Sequence, residues 1–166
     1  MKIRSFILNR DFDKIKDWIT DERTSAMWCA NRLEYPLNMG NFADVMTRIW
    51  AEYGDVPYVA VDDSNEIIGF FCYSLNPDTN EGMLKFIVVD PARRGKGIGK
   101  AMIRLALEYA FDITKADAVH LNVFTENVRA KKCYEGIGFA ERHTVADVFA
   151  YKDELWGRCN MIINRG

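Results

Sequence analysis

The stretch RRGKGIGKAM, residues 93–102, joins an apolar run that stops at Pro91 to a second apolar run with helical spacing. Glycines at 95, 97 and 99 leave this junction almost bare backbone, and Arg93, Arg94, Lys96 and Lys100 surround it with positive charge. A helix start leaves its first amides without internal partners and carries a partial positive charge. Glycine removes the Cβ atoms that would hold an anion away from those amides. A strand, an anion-binding turn and a helix are therefore expected in that order, with phosphate as the natural ligand.

Two phosphate loops can be tested against the spacing. The pattern G-x-x-x-x-G-K-[ST] ending at Gly99-Lys100 would need glycine where Arg94 stands and a hydroxyl where Ala101 stands. A dinucleotide fingerprint, G-x-G-x-x-G, begun at Gly95 or Gly97 meets Lys100 or Met102 at its third glycine. What remains is R-x-x-G-x-G, made by Arg94, Gly97 and Gly99.

Around this loop the chain reads as strand 2–8, a helix over 11–20 capped by Asn9 or Asp11, and two short helices at 22–33 and 41–53. Strands follow at 57–63, 66–75 and 83–90, then a helix from Lys96 or Gly97 to Ile113, where apolar residues recur on one face. Strand 118–124, a helix over 126–138 ended by Gly136 or Gly138, and strands at 142–151 and 155–164 complete the order. The pattern predicts one α/β domain over 1–166, a mixed, mostly antiparallel sheet of about seven strands flanked by helices.

The charge balance, −2, argues against a nucleic-acid binder held by bulk electrostatics. Cys29, Cys72, Cys133 and Cys159 form no C-x-x-C pair, and the two histidines, His120 and His143, fit no ligand spacing, so no metal is expected. No apolar run approaches the ~20 residues of a membrane span. A cytoplasmic protein without membrane or nucleic-acid partners, monomeric or homodimeric, is the expectation.

Two blocks, VVDPARRGKGIGKAMI (88–103) and LNVFTENVRAKKCYEGIGFAE (121–141), resemble the paired motifs of the GNAT family of N-acetyltransferases. The finer likeness is to its ribosomal-protein and small-molecule branch. The resemblance implies a sheet splayed between the strands at 83–90 and 118–124, with acetyl-CoA in the gap. It implies that Arg94, Gly95, Lys96, Gly97, Ile98, Gly99 and Lys100 cradle the pyrophosphate. Ile87, Val88 and Val89 would line the pantetheine arm by main-chain hydrogen bonds, one of their amides polarising the thioester carbonyl. Asn127 matches the asparagine that binds the cofactor arm, and it is also placed to cap a helix. Tyr134 matches the tyrosine that acts as general acid to the departing thiolate.

The implied activity is transfer of acetyl from acetyl-CoA to a primary amine of a small molecule or peptide, by direct attack in a ternary complex. Glu81, just ahead of the strand at 83–90, is the candidate general base, with Asp78 and Glu126 as rivals. Cys133 raises an acyl-cysteine route, but no histidine neighbours it in sequence to activate it. Trp28, Arg32 and Tyr35 are candidate acceptor-site residues, an aromatic and polar mixture suited to an amine with an apolar body. The alternatives are a non-catalytic acyl-CoA-binding module and, more weakly, a nucleotide-binding protein.

Overall fold

The structure, a computed structural model, describes residues 1–166. Its centre is one seven-stranded sheet in the order β1-β2-β3-β4-β5-β7-β6. The strands are β1 (Lys2–Ser5), β2 (Val56–Val61), β3 (Ile67–Asn76), β4 (Glu81–Val89), β5 (Ala118–Phe124), β6 (Ala140–Tyr151) and β7 (Glu154–Asn164). Every neighbouring pair is antiparallel except β4 and β5. A parallel pair needs a crossover, which is the helix that follows the glycine-rich turn.

The helices are α1 (Leu8–Lys16), α2 (Glu22–Cys29), α3 (Met39–Tyr53), α4 (Ile98–Glu108) and α5 (Val128–Glu135). Helices α1 to α3 cover one face of the sheet, where Phe12, Ile15 and Phe42 meet Phe70, Phe86 and Val88. On the other face Met102, Ile103 and Ala106 of α4 meet Leu84, Val119 and Leu121. None of the helices is long and apolar enough to cross a membrane.

The expected elements are all present, with shifted ends. Strand β1 stops at Ser5, because Asp11 turns back to accept the Ile7 amide at 2.8 Å and a forked pair of bonds from Arg4 at 2.7 and 2.9 Å. That starts α1 at Leu8, with Ile7 rather than Asn9 or Asp11 at the cap position. Helix α2 ends at Cys29, since Ala30 and Asn31 take left-handed conformations. Helix α4 passes into a π-helical turn over Tyr109–Ile113, which carries it to the expected end. Helix α5 is shorter than 126–138, running from an Asn127 cap to Glu135.

Helix α3 starts two residues before the predicted 41, because Asn38 supplies the cap: its carbonyl oxygen accepts from the Asn41 amide at 2.8 Å. Asn38→Ala is expected to cost about 1 kcal/mol, the usual worth of such a cap. Thermal denaturation should show this as a fall of about 2–4 °C for a chain of this size.

Candidate active site

Strand β4 touches β5 only from Glu81 opposite Ala118 to Leu84 opposite Leu121. Beyond Leu84 the two strands part, so Lys85 to Val89 present an edge with no strand partner on the β5 side. The parting coincides with a break in the pleat. Leu84 belongs to the core under α4, whereas Phe86, two residues on, belongs to the core under α1–α3. Residues two apart in a regular strand share a face, so one extra residue has been inserted here. The register agrees, since Cys72 opposes Lys85 while Phe70 opposes Val88. Phe86 takes φ +51°, a left-handed conformation that costs a bulky residue about 1–2 kcal/mol.

Amide directions follow from the ladder. The Asp90 amide donates to the Ile68 carbonyl at 3.0 Å, which turns Asp90 toward β3. By strand alternation Val88 faces the same way, and the amides of Ile87 and Val89 face the gap. The Phe86 carbonyl is held from the other side: the indole N–H of Trp28, on α2, donates to it at 2.8 Å.

The open edge runs into the glycine-rich turn. Asp90 caps a short 3-10 turn over Pro91–Arg93 by accepting the Ala92 amide at 2.9 Å. Gly95 and Gly97 then take φ +81° and +77°, and a Cβ on either would meet nothing within 4 Å. Helix α4 begins at Ile98 with Gly97 at its cap, so no side chain occupies its first amides. The amides of Gly95, Lys96 and Gly97 donate to no protein acceptor. A row of donors beside open space is what a pyrophosphate requires.

Helix α5 closes the site from the side of α4. A Cβ on Gly99 would lie 3.7 Å from Val89 and 3.8 Å from the Cys133 sulfur, so the end of β4, the start of α4 and the middle of α5 meet at one point. Tyr134 follows Cys133, buried against Phe139 with ring centroids 6.0 Å apart. Its hydroxyl makes no hydrogen bond to protein, yet it is not among the polar atoms sealed from solvent. Burial pushes the phenol well above its ordinary range, so it stays protonated at neutral pH.

The acetyltransferase (GNAT) family profile matches residues 12–139. The chain belongs to the GNAT family. Among sequence relatives, spermine/spermidine N(1)-acetyltransferase of Bacillus subtilis is 28% identical over 45% of this chain and 53% of its own. Spermidine N(1)-acetyltransferase of Vibrio cholerae is 38% identical over 38% of this chain and 37% of its own. The chain thus matches about half, or less, of the length of these curated relatives. A crystal structure of spermidine N-acetyltransferase from Vibrio cholerae, in complex with CoA and spermine, superposes with TM-score 0.82 at 21% identity, over 98% of this chain and 94% of the other. That likeness concerns the fold, and it includes the seven-stranded mixed sheet flanked by helices.

Within the GNAT fold, the sequence-predicted residues separate into those at the gap and those elsewhere. Ile87, Val88 and Val89 form the open edge, and Gly95 to Gly99 form the turn. Asn127 serves as the α5 cap, its oxygen accepting the Ala130 amide at 3.3 Å. Lys100 turns away from the turn and lies over Gly136, at the end of α5, where its charge favours the helix C-terminus. Arg93 is engaged by Asp62 at 2.7 Å, whereas Arg94 has no carboxylate in contact. Burial, and then repulsion from Arg129, lower the Arg94 guanidinium from its usual value. Arg129 was not singled out in the sequence. It precedes Cys133 by one helical turn and so projects toward the same glycine-rich turn.

Glu81 does not reach the gap. It is the first residue of β4, not ahead of it, and its carboxylate accepts from Arg142 at 2.9 and 3.0 Å. At ~3.3 Å per strand residue it stands roughly 16 Å from Phe86, at the closed end of the β4–β5 pair. Arg142 also donates to Asn160, whose amide group contacts His120 and Asn122, so Glu81 belongs to a polar network on the sheet. Burial, and then Arg142, lower His120 from its ordinary value against the opposing pull of Glu81. Of the rivals, Asp78 is exposed in the β3–β4 turn, and exposed Glu126 accepts from Thr125 at 2.9 Å near the α5 cap. Cys133 is half-buried, and burial raises its thiol, which keeps it protonated rather than nucleophilic.

The acceptor-side expectations fare unevenly. Trp28 stands at the bulge, as its contact with Phe86 shows. Tyr35 donates to the Thr20 carbonyl at 2.9 Å beyond the start of α2, and Arg32 is exposed after its end. These two are not gathered at the bulge by any hydrogen bond.

Proposed function

We propose that the protein transfers an acetyl group from acetyl-CoA to a primary amine of a small molecule, by direct attack within a ternary complex. The observation that carries this reading is the unpaired arm of β4, running from the bulge at Phe86 into an uncapped, glycine-lined helix start. The turn from Arg94 to Gly99 would hold the pyrophosphate, while the amides of Ile87 and Val89 would bind the pantetheine arm. When bound, the cosubstrate supplies a thioester whose carbonyl gains negative charge as the amine attacks.

In this reading the Ile87 amide stabilises that charge, because it already faces the gap and pays no reorganisation cost during reaction. Tyr134 supplies the proton to the departing thiolate, its burial keeping the proton in place until it is needed. The amine enters as its free base, and the ammonium formed on attack gives its proton to water, because Glu81 keeps its ion pair with Arg142 and does not take it directly. The relatives named for spermidine and spermine put aliphatic amines first among the acceptors to try.

The test is release of free thiol from acetyl-CoA in the presence of polyamines, aminoglycosides, amino acids and peptides, with mass spectrometry of the product. Amine-dependent thiol release with one acetyl added to the amine is the expected result. Tight CoA binding without thiol release across the panel would favour a sensing module instead. No CoA binding at all would overturn both readings.

A further inference from the structure

Helix α2 spans the gap from one arm of the sheet to the other. Near its start, Arg23 forms a forked ion pair with Glu154 of β7, and its guanidinium lies over the rings of Trp156 and Tyr151 at 5.0 and 5.5 Å. Ala26, one turn on, is fully buried in the same aromatic cluster. At its other end the helix reaches β4. Trp28 packs edge-on against Phe70 and Phe86, with ring centroids 6.2 and 6.0 Å apart, and its N–H bonds the Phe86 carbonyl.

The contacted carbonyl is the one that matters most to the bulge. Phe86 holds a positive φ that its own side chain disfavours, so something outside the strand must maintain it. The peptide linking Phe86 to Ile87 is trans, because the only cis bond in the chain is Tyr35–Pro36. In a trans peptide the carbonyl and the next amide point in opposite directions. Fixing the Phe86 oxygen toward α2 therefore fixes the Ile87 N–H away from α2, holding it in the gap-facing direction that strand alternation gives it.

We infer that Trp28 is a positioning residue for acyl transfer: its indole N–H locks the Phe86 peptide so that the Ile87 amide is held as hydrogen-bond donor to the acyl carbonyl. This reassigns Trp28 from acceptor binding to support of the thioester, and it rests on the acetyl-CoA reading above. The anchorage of α2 to β7 makes the indole a rigid strut rather than a mobile side chain. A donor displaced by a fraction of an ångström loses part of its effect on the charge that develops in the transition state.

The test is Trp28→Phe, which keeps an aromatic ring against Phe70 and Phe86 but removes the N–H. Trp28→Met, a flexible filler without the donor, supplies the same comparison if the phenylalanine variant folds poorly. Two ligands are titrated by calorimetry: the dethia ketone analogue of acetyl-CoA, which has the carbonyl, and S-ethyl-CoA, which lacks it. The variant should bind the ketone about tenfold more weakly and S-ethyl-CoA within about twofold of wild type, with kcat falling about tenfold where an acceptor amine is known. Equal weakening of both ligands would mean a merely structural role and overturn the inference, as would no change in either. Failure of the wild-type protein to bind either ligand would instead overturn the acetyl-CoA reading itself.

Discussion

Tyr134→Phe should lower kcat about 100-fold while leaving the affinity for acetyl-CoA within about twofold, the low end of what general acid catalysis contributes. The hydroxyl makes no protein hydrogen bond, so its removal leaves no partner stranded. The ring keeps its packing against Phe139, so the fold should not suffer. What disappears is the side chain's only ionisable proton, at a site where the proposed reaction releases a thiolate. The pH profile gives a second reading of the same role. Burial raises the phenol above its ordinary value of about 10, so Tyr134 remains protonated below that pH. Its deprotonation should therefore produce no basic limb in kcat through pH 9. Steady-state kinetics with thiol detection measures both, and a variant with unchanged kcat would remove Tyr134 from the mechanism.

The parts legible in the sequence were those whose cause is local. Gly95 and Gly97 announced positive φ and open space because only the backbone near them matters, and α4 followed from its own apolar spacing. The second motif placed Asn127 and Tyr134 on one short helix for the same reason. The parts that the sequence alone does not reach depend on partners far along the chain. Glu81 reads as the candidate base, but Arg142, 61 residues later, pairs with it once β6 folds onto β7 and β7 onto β5. Trp28 reads as an acceptor-site residue, and its hydrogen bond lies 58 residues away, on the peptide at the bulge of β4. The bulge itself left a faint trace. In MLKFIVV, Leu84 and Phe86 cannot be assigned to opposite faces without knowing where the strand breaks phase. Lys100 is a related case, since its charge was readable but its direction, toward Gly136, depends on where α5 docks.

Gly97→Val is expected to weaken acetyl-CoA binding by about 100-fold, for two separable reasons. At φ +77° a β-branched residue is strained by about 1–3 kcal/mol. That strain is relieved by turning the peptide, which would carry the neighbouring amides away from the direction they share. A Cβ there has no protein atom within 4 Å apart from its chain neighbours, so the methyl groups it carries have open space beside them. They would instead fill the space from which an anion approaches the first turn of α4. A surface glycine with no ligand to admit would show only the first effect, a modest loss of stability with no dependence on the phosphate. Gly97→Ala separates the two, because it carries the backbone penalty with less bulk, and it should weaken binding less than valine does. Titration of CoA and of 3′,5′-ADP against both variants measures this. If valine and alanine bind these ligands as wild type does, the pyrophosphate does not lie on this turn, and the donors at Gly95 to Gly97 serve some other anion.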